Sequence, residues 1–432
     1  MPETREIKGA WLIVAMLFLF MFINFADKVV IGLAAVPIMN ELQLKPVEFG
    51  QVNSAFFFLF SISAVITGFI VNRVQSRWAL LVMALIWALT QFPMIGGVGV
   101  GVLMACRIIL GAGEGPAYPV ALHAAYKWFP NERRALPTAV IAQGASIGVM
   151  LALPALNWVI INISWHWAFG VLGIVGMCWV LAWWVLGKEG PLTAEVIAAQ
   201  PAGGLTRVPY GRLLTSPTVL GAWAAGFGAY WGLALLVAWL PAYLIKGFGY
   251  TQAEVGWIDA LPWGASVVLV IGISWLSQRL LARGVSTRIS RGLVGGGAVA
   301  LGGLCLASMP LQEFGVTKLA VLVIGMSVPS VIYVMGHAIV SEITPVGQRA
   351  AMLCIGNAVA TSAGLLAPWL MGQAIQQGVT PGAGYDHGFL LAGLVTLVGG
   401  IIGMIFLRPQ ADLQRFAALD GTASGTAARQ GA

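Results

Sequence analysis

The sequence predicts an all-α integral membrane protein of twelve transmembrane helices arranged as two pseudo-symmetric six-helix bundles. Three observations carry that expectation. Charged residues make up only 9% of the 432 residues while apolar residues make up 59%, against about 25% charged in an ordinary soluble chain. The mean hydropathy is +0.88. Apolar runs such as 9–26, 78–105 and 169–187 approach or exceed the roughly 20 residues a membrane helix needs.

The runs resolve into twelve spans near 9–33, 47–71, 78–98, 100–127, 134–157, 166–187, 219–245, 251–276, 290–311, 317–341, 348–376 and 387–407. No alternating strand pattern accompanies them, and backbone groups in lipid must be satisfied within the protein, so a helical bundle is expected rather than a barrel. The first run is expected to be a span rather than a cleaved leader, because Asp27-Lys28 follow it where small residues would mark a cleavage site.

Basic residues set the orientation. With both termini cytoplasmic, 18 of the 23 Lys and Arg fall on the cytoplasmic side and three, Lys45, Lys246 and Lys318, on the other. That is a strong positive-inside signal. It also accounts for the formal net charge of +7 without nucleic acid. The segment 188–218 carries Gly190-Pro191, Pro201, Gly203-Gly204 and Pro209, which suit a loop. It separates an N-terminal bundle (1–187) from a C-terminal bundle (219–408). The tail 409–432, rich in Ala, Gly, Thr and Gln, is expected to be disordered. GFIVNRVQSR (68–77) after the second span and SWLSQRLLARG (274–284) after the eighth echo each other, as internal repeats of transporters do.

Ionisable groups inside spans cost at least about 2.5–3.5 kcal/mol each on insertion scales, so they are functional candidates. Asp27, Lys28, Arg107 and Glu114 are the clearest, ahead of Asp259, Glu342, His123 and His337. Arg107 and Glu114 lie seven residues apart, on nearly one helix face but about 10 Å apart along the axis. Each is therefore expected to meet a group on another span or a water-filled cavity. Adjacent Asp27 and Lys28 point about 100° apart and do not naturally pair. Cys106, Cys178, Cys305 and Cys354 lie singly in apolar runs, so no metal site or disulfide framework is implied. No Walker loop, HExxH or GxSxG is present, which leaves ATP coupling and the common hydrolases without support. No cofactor is expected and no enzyme activity.

The segments RIILGAGEGPAYP (107–119), WFPNERR (128–134), NFADK (24–28), WLPAYL (239–244) and NAVATSAGLLAPWLMG (357–372) resemble, in family order, the major facilitator superfamily and within it the anion:cation symporters. That resemblance, over residues 10–408, implies a secondary transporter that takes up a small organic anion, a carboxylate, together with protons through a bacterial inner membrane. Facilitated transport or anion exchange on the same fold is the alternative, and a membrane receptor or enzyme the remote one. A monomer is expected. The resemblance places Lys28 and Arg107 at the anion, Asp27 and Glu114 in proton coupling, and Phe25, Asn24, Phe60, Gln143, Tyr230, Tyr333, Asn357 and Thr361 around the pocket. It places Asn72, Arg73, Arg77, Gln278 and Arg279 in cytoplasmic gate loops.

Departures from the family pattern matter. Phe25 stands for a tyrosine, Lys28 for an arginine, Phe60 for a tyrosine and Ala64 for a glutamine. Asn72 and Gln278 replace the loop aspartates, and Thr361 a second asparagine. With fewer hydroxyl and amide partners and the phenylalanines 25, 56, 57, 58 and 60 nearby, the pocket is expected to favour a carboxylate less hydroxylated than a sugar acid. The fifth span lacks the adjacent Gly-Pro of the superfamily's antiporters, which tilts the reading towards symport.

Overall fold

The computed structural model describes residues 7, 9–71, 74–129, 135–191 and 208–416, and these contain helices and connections with no strand. Among the described residues, twelve helical stretches are long and apolar enough to cross a membrane: α1 (Ala10–Leu33), α2 (Pro46–Thr67), α3 (Ser76–Ile95), α4 (Val100–Tyr126), α5 (Leu136–Asn162), α6 (Trp165–Leu186), α7 (Pro217–Ala238), α8 (Gln252–Ala282), α9 (Arg288–Ala307), α10 (Val316–Ile343), α11 (Ala351–Gln377) and α12 (Gly382–Phe406). Each coincides with an expected span. Within the first unit described below, the end of the spans at which α1 begins is called here the terminal face.

Several spans are interrupted where the sequence removes backbone donors or rigidity. α4 breaks at Gly115-Pro116, α8 at 259–260 before Pro262, and α10 at Val328–Ser330 around Pro329. Proline cannot supply the helical N–H and clashes with the preceding turn. α8 runs past its expected end at 276 because no breaker intervenes until Gly284, whose φ of 81° suits only glycine. Gln278 and Arg279 are consequently helical rather than in a loop, and the Arg279 guanidinium lies 3.7 Å from the Trp275 ring centre.

By internal packing the chain divides into two compact units: residues 1–200, 234–264 and 364–388, and residues 201–233, 265–363 and 389–432. In the first unit, close backbone approach is made by glycines, as expected where lipid supplies no hydrophobic drive between helices. A Cβ on Gly111 or Gly115 of α4 would stand 1.8 or 2.0 Å from the carbonyl oxygens of Phe56 and Phe60 on α2. One on Gly144 of α5 would stand 2.4 Å from the Phe18 carbonyl oxygen of α1. At the end away from the terminal face, Gly32 of α1 meets the Val237 carbonyl and Gly50 of α2 the Pro368 carbonyl. The Trp239 indole donates to that same Pro368 oxygen at 2.9 Å. At the terminal face, Glu189 accepts from the Ser76 hydroxyl (2.9 Å), from the Arg77 amide (3.1 Å) and from Lys127.

In the second unit, α9 and α12 approach through Gly303, Gly393 and Gly400, where added Cβ atoms would fall 2.1–2.4 Å from facing backbone nitrogens. Residues 409–416, the start of the tail expected to be disordered, form a helix, and 417–432 lie outside the described residues. Its Asp412 carboxylate accepts from the Ser216 hydroxyl at 2.6 Å and the Thr218 amide at 3.1 Å. The tail is thus tied to the start of α7 by satisfying its orphan N–H groups.

Candidate functional site

Asp27, Lys28, Arg107 and Glu114 come together inside the first unit, with residue exposures of 1, 7, 3 and 1%. α1 supplies the first two and α4 the others. Lys28 Nζ is 2.9 Å from Glu114 Oε2 and also donates to Asn24 Oδ1, one turn back on its own helix. The expectation that Glu114 meets another span is met by this pair. Glu114, Lys28 and Arg107 all act electrostatically on Asp27, and the neutral Gln91 side chain of α3 lies beside it. The quartet holds two acids and two bases, so its full ionisation is neutral overall, which lowers the cost of burying it.

Aromatic faces surround the cations. Lys28 Nζ lies 4.4 Å from the Phe25 ring centre and 5.5 Å from that of Phe60. The Arg107 guanidinium lies 4.6 Å from that of Phe56. Such cation–π contacts are worth about 0.5–2 kcal/mol. Phe56, Phe57 and Phe60 pack on one another. Phe58 does not join them: it is 57% exposed, because its helical position turns it to the opposite face. Among the described residues, Arg107 Nε and Nη1, Asn24 Nδ2, Asp27 Oδ1 and Glu114 Oε1 have no hydrogen-bond partner. Buried donors of that kind are normally satisfied, and a carboxylate would meet the planar guanidinium well.

Gln143 is half-buried on α5 beside Gly144, where that helix rests on α1. Arg77 sits in the first turn of α3 and donates to the Trp184 carbonyl at 2.8 Å. Asn72 and Arg73 lie outside the described residues. The other four pocket candidates belong to the second unit. Tyr230 and Tyr333 meet edge to face at 6.5 Å. Tyr333 and Asn357 line a cavity of about 40 Å³ with Trp223 and His337. Thr361 is buried one turn beyond Asn357, its hydroxyl donating to the Ala358 carbonyl at 3.2 Å. Gln91 and Trp223 escaped the sequence reading. An uncharged amide or an indole in an apolar run costs far less than a charge, so neither stands out by type.

Twelve apolar spans among the described residues and, inside the first unit, a buried quartet of charges fit a polytopic membrane transporter. The chain belongs to the Major Facilitator Superfamily, whose family model matches residues 17–334. It is similar to the D-galactonate transporter of Escherichia coli, 27% identical over 300 residues covering 65% of this chain and 70% of that one. It is similar to the hexuronate transporter of Bacillus subtilis, 24% identical with 92% and 94% covered. It also resembles the probable sulfoacetate transporter of Cupriavidus necator, 26% identical with 94% and 95% covered. Among solved structures, a D-xylose–proton symporter superposes with a TM-score of 0.73 at 16% identity over 93% of this chain and 99% of that one. A bacterial homologue of the human lysosomal transporter Spinster, inward-facing and unoccupied, gives 0.72 at 17% identity over 95% and 98%. The relatives and fold neighbours are transporters and not enzymes.

Proposed function

We propose that the protein takes up a small organic anion, a carboxylate, in symport with protons by alternating access. The observation that carries this reading is the buried Lys28–Glu114 pair beside an Arg107 with unpartnered donors. An arriving carboxylate competes with Glu114 for Lys28. Protonation of Glu114 removes that competitor and leaves Lys28 and Arg107 as a net positive pocket for the anion. Loss of the proton restores the ion pair and expels the anion. Asp27, next to Lys28 and within reach of the same cations, is the second proton carrier of this cycle. Linked binding of this kind needs only that each ligand favour the same state.

The terminal face is taken as cytoplasmic on the 18-to-3 distribution of basic residues. Two six-helix bundles joined by the 188–218 linker, a bacterial inner membrane and a monomer complete the proposal. The aromatic wall of Phe25, Phe56 and Phe60 favours an anion with fewer hydroxyls than a sugar acid. The test is uptake into proteoliposomes under an imposed inward proton gradient. D-galactonate, a hexuronate, sulfoacetate and an aromatic carboxylate are offered in turn. Accumulation that collapses with a protonophore is expected for at least one. Counterflow without accumulation would instead establish facilitated transport or exchange.

A further inference from the structure

We propose that Asp259 of α8 is a separate proton-binding site whose neutral form is required for the spans to pack closed at the end away from the terminal face. This deepens the proton-coupled reading above, since it adds a carboxyl that the Lys28–Glu114 cluster does not contain.

Asp259 is 2% exposed, and among the described residues its Oδ1 has no hydrogen-bond partner. It lies where α8 is interrupted, as the cap of the helix Gln252–Ile258, with its amide donating to the Val255 carbonyl at 2.9 Å. Helical spacing puts Gln252, Gly256 and the capping Asp259 on one face of the helix Gln252–Ile258. That face is a packing seam. Gln252 donates to Asn157 Oδ1 of α5 (2.8 Å) and to the Leu33 carbonyl of α1 (3.3 Å), and its own carbonyl accepts from Asn157 Nδ2 (2.7 Å). Gly256 presses so close that a Cβ would stand 2.7 Å from Asn157 Nδ2. Deeper in, Trp263 meets the Phe25 ring edge to face at 6.2 Å. Asp259 is therefore shut between a polar tie above and the aromatic contact beside Lys28 below, about 10 Å along the helix from Gln252.

No charged group shares that seam among the described residues. α5 presents Asn157 and Met150, α1 presents Phe25 and the Leu33 carbonyl. Glu254 on α8 is exposed and bonded to Thr251. On the helix Leu240–Lys246, Lys246 is exposed and Tyr243 donates to Asp386 at 2.5 Å. Lys28 lies over the Phe25 ring, and Asp27 and Lys28 interact with Arg107 and Glu114, not with Asp259. An ionised carboxylate has no counter-charge here, whereas the neutral acid needs none. Parting the Gln252–Asn157 tie would wet the carboxyl and let it ionise. Closing the tie requires the proton.

The experiment needs no substrate. Spin labels at Asn40→Cys and Gln377→Cys, in a background without the four native cysteines, report the separation of α1–α2 and α11 at that end in lipid nanodiscs as pH is varied. The closed distance should dominate at low pH and an open one should grow as pH rises. Asp259→Asn should lose that growth and stay closed throughout, while Asp259→Glu should keep it. Infrared spectra of the otherwise unaltered protein should contain a carboxylic C=O band that Asp259→Asn removes. A pH response in Asp259→Asn equal to the parent's, or an infrared spectrum it leaves unchanged, would overturn the assignment. Because neither readout involves uptake, failure of the symport reading shows separately, as absent proton-driven accumulation.

Discussion

Lys28 of α1 and Glu114 of α4 form an ion pair of 2.9 Å with side-chain exposures of 9% and 0%. Removing one partner of a buried pair leaves an uncompensated charge and costs about 3–5 kcal/mol, whereas removing both is often close to neutral. Lys28→Met should therefore lower thermal stability in detergent sharply. Lys28→Met combined with Glu114→Gln should recover most of the loss, Asp27 and Arg107 remaining as a balanced pair. Thermal unfolding of the two single variants and the double variant measures the coupling. Simple addition of the two single losses would show that the pair does not interact in the resting protein.

The terminal face offers a pH test. Burial alone would raise the Glu189 carboxyl, but hydrogen bonds from Lys127, the Arg77 amide and Ser76 outweigh it and hold the group below its ordinary 4.5. A depressed folded value means that the contribution is fully present above about 4.5 and is lost as pH falls through the lower folded value. Glu189 also meets the first amides of α3 as an N-terminal cap would, an arrangement worth about 0.5–2 kcal/mol. Glu189→Gln should lower the melting temperature near neutral pH and flatten its decline on acidification. Melting curves between pH 3 and 7, taken on parent and variant, settle it by whether their acid limbs differ.

The spans were legible because membrane insertion selects on bulk hydropathy, a property each segment carries by itself. The quartet was legible for the converse reason: a charge in such a segment is costly, so Asp27, Lys28, Arg107 and Glu114 announce themselves. That Glu114 meets Lys28 follows from helix placement and is not written in either segment. The same holds for the tie between Asp412 and Ser216, 196 residues apart, which holds the helical residues 409–416 at the start of the segment that composition alone reads as disordered. Phe58 illustrates a local limit. Its run of aromatics reads as one cluster, and only the helical phase separates it from Phe56, Phe57 and Phe60.

Glycine spacing yields a paired prediction. A Cβ on Gly111 would overlap the Phe56 carbonyl oxygen at 1.8 Å, whereas one on Gly101 of the same helix meets nothing within 4 Å. Backbone cannot retreat as a side chain can, and overpacking costs typically about 1–3 kcal/mol or more. Gly111→Ala should destabilise or prevent folding, judged by monodisperse yield and melting temperature. Gly101→Ala should be neutral or slightly stabilising, since alanine is the better helix former. Equal behaviour of the two would mean that α2 and α4 do not approach as closely as Gly111 and Phe56 place them.

The coupling role of the acids yields the sharpest prediction. Glu114→Gln keeps the side chain's shape and holds the site permanently neutral, resembling the protonated state. Lys28 then has no ionised competitor for the anion on α4, so the carboxylate should still bind and exchange. What is lost is the alternation: without a proton to release, the pair cannot re-form to expel the substrate, and a proton gradient has nothing to act upon. Glu114→Gln should therefore support counterflow within about tenfold of the parent, a loss of no more than about 1.4 kcal/mol in barrier, yet fail to accumulate substrate when pH drives transport. Asp27→Asn should do the same, or abolish transport if Asp27 also holds α1 against Arg107. The measurement is the ratio of proton-driven accumulation to counterflow in matched proteoliposomes, using whichever carboxylate the parent accumulates. A ratio unchanged in both single variants would remove coupling from this cluster and leave Asp259 as the carboxyl to test next.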